Sequence, residues 1–193
     1  MDFTGWVIVA MLIALSLVFA YFMFTRESRM LGRLAVALGG DNKSSVLGGN
    51  YVALDSHGVE LQIRLMSGSS DSRHGSQLII LRKTPPAFRM QISSSSWAAR
   101  LGNAIGLVKD IAVGDPAIDK RYRIKASNEE KAIEFFNDPQ RREALAYFFD
   151  QGFTDIQLAE NDVCVIKPQN LKYDLDPRLM KRHLEYFAIL FPS

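Results

Sequence analysis

Residues Trp6 to Phe24 read WVIVAMLIALSLVFAYFMF, and the interpretation of this stretch decides the expected architecture. It holds no charge, proline or glycine, and Ser16 and Tyr21 are its only polar side chains. At about 1.5 Å per helical residue the run reaches roughly 28 Å, close to the ~30 Å hydrocarbon core of a bilayer. A helix also satisfies its backbone groups within one segment, as lipid demands. Trp6 and Tyr21 suit the water interfaces, and Arg26, Arg29 and Arg33 follow the run as candidate interface residues. The stretch predicts one transmembrane helix over residues 6–24.

Charge sets the expected orientation. MDFTG at the start carries Asp2 and no base, unlike a secretory signal, and the apolar run exceeds the usual signal core. Ala35-Val36-Ala37 has the form of a cleavage site, but arginines separate it from the run. Bases after the span place that side in the cytoplasm. The expectation is a signal-anchored, single-pass protein of the cell (inner) membrane, with residues 1–5 outside and the C-terminal domain cytoplasmic; a periplasmic domain is the reversed alternative. The single cysteine, Cys164, permits no intrachain disulfide and reads as a buried thiol in DVCVI.

Working outward, residues 25–45 read as a juxtamembrane helix and a flexible linker. Met30, Leu31, Leu34, Ala35 and Leu38 make an apolar stripe, Gly39-Gly40 ends it, and Asp41–Ser45 is polar. Residues 46–193 read as one α+β domain, long enough for a proper core. Strands are expected at Tyr51–Leu54, Val59–Leu65, Gln77–Lys83 and Phe88–Ile92, forming an antiparallel meander. His57 lies in a turn, and 67–76 is a polar loop. A short helix is expected from Trp97 to about Asn103, with a short strand near Leu107–Val113.

The second half brings helices. Ile118, Tyr122, Ile124 and Ala126 alternate with Asp119, Arg121, Arg123 and Lys125 as a strand, after a turn at Gly114-Asp115-Pro116. Ser127 with Glu130 reads as a capping box, and Asp138-Pro139 and Asp176-Pro177 read as helix starts. Phe153–Leu158 and Val163–Lys167 form a hairpin, and Met180, Leu184, Phe187 and Phe191 face the core from the last helix. The overall expectation is a transmembrane helix followed by a mostly antiparallel sheet, with helices in its second half.

Chemistry-bearing motifs are scarce. His57, His74 and His183 have no second ligand at metal spacing. Asp110, Asp115 and Asp119 match no calcium loop. No phosphate-binding glycine loop or nucleophile elbow occurs, so neither metal, cofactor nor catalytic residue is expected. A net charge of +2 does not point to nucleic acid, and Tyr122 lies away from the bases. The basic row Lys120, Arg121, Arg123 and Lys125 is the one surface feature with content, a candidate contact for a protein partner or anionic lipid headgroups. Phe135, Phe136, Phe148 and Phe149 read as core.

The stretches GDPAIDKRYRIKAS, EKAIEFF and REALAYFF, within about residues 114–152, resemble a motif of uncharacterised bacterial membrane-anchored proteins. That resemblance implies a basic-aromatic strand ahead of two alanine-rich helices, and no activity. The function expected is a membrane-tethered binding or assembly module, with a tethered enzyme, a hydrolase for instance, as the alternative.

Overall fold

A computed structural model describes residues 3–45, 49–56, 59–66, 76–94, 110–168 and 171–192. Its first element, helix α1, runs without interruption from Phe3 to Leu38. The apolar run is thus not a separate anchor followed by a linker. It is the outer part of a helix whose last turns belong to the domain: Leu31, Leu34 and Ala35 are buried in the main core.

This corrects the first expectation. Among the described residues no helix is long and apolar enough to cross a membrane. The apolar run continues as one helix into the segment where charges return at Arg26, Glu27 and Arg29. The single-pass anchor, the membrane as integral partner and the cell-membrane placement with a cytoplasmic domain are therefore not supported. Arg26, Arg29 and Arg33 lie exposed on α1, as does Trp6; the Tyr21 side chain lies outside the described residues.

Asp41–Ser45, expected as flexible linker, is strand β1. It follows Gly39, whose φ of 73° reverses the chain, and pairs with β2 (Gly49–Ser56). Gly40 sits where the chain passes closest to the sheet: a Cβ there would lie 2.5 Å from the Ala53 carbonyl oxygen and would strike the Leu54 side chain. The remaining strands are β3 (Val59–Met66), β4 (Gln77–Arg82), β5 (Met90–Ser94), β6 (Asp110–Ile111), β7 (Tyr122–Ala126), β8 (Asp155–Leu158) and β9 (Val163–Pro168). All pair antiparallel in one sheet, ordered β1-β2-β3-β4-β9-β8-β5-β7-β6. The fold is α+β with a large antiparallel sheet. The expected four-strand meander stops at β4, because the β8–β9 hairpin inserts between β4 and β5.

Register explains the sheet's two faces. Val52, Ile63, Ile80, Val165, Ile156, Ile92, Ile124 and Ile111 stand opposite one another in sequence of strands, forming one unbroken β-branched row from β2 to β6. Side chains alternate between faces, so this row commits one face to the core. Helices α1, α2 (Pro116–Arg121), α3 (Glu129–Asn137), α4 (Pro139–Asp150) and, after the short α5 (Leu171–Asp174), α6 (Pro177–Leu190) send buried residues into that same cluster. The opposite face carries Gln62, Gln91, Gln157, Ser93 and Asp155 around a small apolar group of Ile79, Leu81, Cys164 and Ile166.

Local signals set the helix starts. Asp115, Asp138 and Asp176 each cap a helix with proline in its first turn, their carboxylates accepting from Ala117, Gln140 and Arg178 backbone N–H groups at 2.8–2.9 Å. From sequence the first of these reads only as a turn and residues 118–121 as the start of a strand, whereas Pro116–Arg121 is helix. For α3 the cap is Asn128, which accepts from Lys131 N–H at 2.9 Å. Ser127 instead bridges to Arg89, so the expected capping box does not form. His57, His74 and the expected Trp97–Asn103 helix lie outside the described residues, as does all but Asp110–Val113 of the strand expected near Leu107–Val113.

Candidate binding cleft

The cleft is built on α2. Asp119 accepts from the Val113 and Gly114 N–H groups at 2.9 and 3.1 Å, and Asp115 pairs with Arg142 of α4 at 3.2 Å. The acids that crowd residues 110–119 are thus spent on turning and pinning the chain; among the described residues they form no metal cluster. The pinned helix ends at Lys120 and Arg121, directly before Tyr122 opens β7.

Across from α2 lies the end of α4. Arg121 Nη2 meets Asp150 Oδ1 at 2.9 Å, and its guanidinium covers the Tyr122 ring at 5.5 Å. Tyr122 packs on Phe149 with ring centroids 4.5 Å apart. Gly152, at φ 85°, turns the chain toward buried Phe153 and Thr154 at the head of β8. Between these elements lies a cleft of about 810 Å³, with Lys120 and Arg121 at its rim and Tyr122, Phe149 and Phe153 among its lining; Ser94 and Pro168 close the strand ends. Lys120 is exposed and makes no ion pair among the described residues. Cations beside aromatic surface can hold an anionic group while apolar atoms pack below it. The Tyr122 hydroxyl is buried without a partner among the described residues, and burial raises its pKa.

The basic row is divided by the sheet. Lys120 and Arg121 belong to the cleft, whereas Arg123 and Lys125 point from β7 to the opposite face, where Arg123 pairs with Asp110 at 3.1 Å. Alternation within β7 also puts Tyr122 in the core beside Ile124. Of the four phenylalanines expected in the core, Phe135, Phe136 and Phe148 are buried and Phe149 is half-buried at the cleft.

Two buried polar clusters escaped sequence reasoning. His183, wholly buried on α6, shares a 2.8 Å hydrogen bond between Nδ1 and Tyr147 Oη. Burial, then nearby Lys167, pushes its imidazole down to about 4. Lys167 itself forms a 2.6 Å ion pair with buried Asp174 and donates to the Gln151 carbonyl at 3.1 Å. On the other face Asp155 accepts from Gln91 Nε2 at 3.2 and 3.3 Å and from Gln157. Burial pushes its carboxyl up to about 6, against the pull of those two amides. Burial likewise drives the Cys164 thiol far up, leaving it an unreactive core residue. The polar-apolar alternation of DIQL was the one available signal for Asp155.

No protein-family model matches the chain, and no curated protein matches it. A solved structure does. It is the crystal structure of the mycobacterial trehalose monomycolate transport factor A, TtfA, with a TM-score of 0.50 and 14% identity over 86% of this chain and 97% of that one. At that identity the likeness to TtfA carries the fold alone.

Proposed function

We propose that this chain is a binding or assembly module that engages an anionic partner at the cleft between α2 and the end of α4. The observation that carries this reading is the joining of Lys120 and Arg121 to an aromatic lining in one cleft of about 810 Å³. Arg121 is already oriented by Asp150, so less side-chain freedom is lost when a second acceptor arrives. The description of TtfA as a transport factor fits a protein that works by binding. The test is retention of partner by immobilised full chain, compared with a Lys120→Glu, Arg121→Glu variant. A partner held at low salt by the parent and lost by the variant, with unchanged melting, supports the reading. Equal retention by both overturns it. Surface charges of this kind contribute at most about 1 kcal/mol to folding, so the variant should fold.

A further inference from the structure

A second basic surface lies on α1, far along the chain from the cleft. Helical spacing puts Arg26, Arg29 and Arg33 on one side and Leu31, Leu34, Ala35 and Leu38 on the other. The apolar side is committed, since Leu31, Leu34 and Ala35 are buried against the sheet. The arginine side is therefore held facing outward by packing, not by chance. All three arginines are exposed, and none makes an ion pair among the described residues. With Thr25 and half-buried Met30 they line a groove of about 400 Å³.

From this geometry we infer that the outward side of α1 is a docking surface for an acidic helical segment of a protein partner. Three guanidiniums at positions i, i+3 and i+7 rise about 10 Å in single file. A partner helix with carboxylates at the same spacing meets each guanidinium in turn, and the fork of arginine favours two-point contact with carboxylate. Met30 adds a pliable apolar contact between the charges. A flat anionic surface is the competing occupant and forms the vesicle arm of the test; carboxylates repeated along a rod match a single file of guanidiniums one by one. This surface shares no residue with the cleft.

The test uses the full chain and a fluorescent synthetic helix with glutamates at i, i+3 and i+7, followed by anisotropy at low salt. A glutamine-for-glutamate version, anionic phospholipid vesicles and inorganic phosphate are the other arms. The acidic helix should bind and the glutamine version should not. Arg26→Gln, Arg29→Gln and Arg33→Gln together should weaken binding about tenfold or more, while the triple lysine variant should fall between. Lys120→Glu with Arg121→Glu should leave this binding unchanged. Melting of the triple glutamine variant should match the parent, because the replaced groups are exposed. Failure of the acidic helix to bind, equal binding by the triple glutamine variant, or binding of vesicles or phosphate but not of the helix would overturn the inference.

Discussion

Tyr147 on α4 and His183 on α6 meet through a 2.8 Å hydrogen bond, inside an aromatic enclosure that includes Phe148 and Phe153. The pair joins the two helices that pack most closely on each other over the sheet. His183 Nε2 is buried without a partner among the described residues, and burial holds the ring neutral.

That neutral ring makes stability depend on acid. The folded-state pKa is about 4, below the ordinary 6.5, so the unfolded chain takes up the proton first. The His183 contribution is complete above 6.5 and is lost as pH falls toward 4. Replacement by Gln should remove this loss, so that the variant's denaturation midpoint falls less, or rises, on acidification across that window relative to the parent. An unchanged slope would show that His183 does not titrate as its burial requires.

Asp155 should act with the opposite sign. Its folded pKa is about 6, above the ordinary 3.8, so stability is greatest below 3.8 and declines as pH rises through 6. Asp155→Asn keeps the shape and should stabilise the protein at pH 8 by about 1–3 kcal/mol. Because the two windows overlap, the parent should show little net slope between pH 4 and 6. The His183 variant should then gain stability on acidification there, and the Asp155 variant should lose it. Urea melts of both variants at each pH decide the matter.

Gly40 tests the junction between α1 and the sheet. A methyl group would press on the Ala53 carbonyl and the Leu54 side chain, neither of which can move without disturbing β2. Gly40→Ala should cost about 1–3 kcal/mol by thermal or chemical denaturation. A neutral result would mean that the helix can lift from β2 at no cost.

A fragment beginning at Val46 should be poorly stable or aggregate. It lacks β1 and the buried Leu31, Leu34 and Ala35, and each large side chain of this kind contributes about 1.5–3 kcal/mol. A fragment beginning at Thr25 retains both and should melt close to the full chain. Sedimentation and calorimetry of the two fragments measure the difference directly.

Much of the local structure was legible from residue order alone. Strict alternation in VELQIRL and the apolar run LIIL dictate strands wherever they are placed, because period two leaves one face to bury. Asp138-Pro139 and Asp176-Pro177 start helices because a carboxylate can reach the free N–H groups while proline needs none. The same chemistry acts at Asp115-Pro116, where the alternation of the following residues suggested a strand instead. Tertiary structure alone decided the rest. Strand order depends on which apolar edges meet, so nothing between Arg82 and Met90 announces that β8 and β9 will separate β4 from β5. The polar segment Asp41–Ser45 becomes a strand only because β2 offers it an edge. The apolar stripe after the arginines belongs to the core only because the sheet lies beneath it, and that contact turns the helix from an expected anchor into an element of the domain. The basic row was legible as charge, but its division between cleft and opposite face required the position of the sheet, since a strand sends alternate side chains to opposite sides.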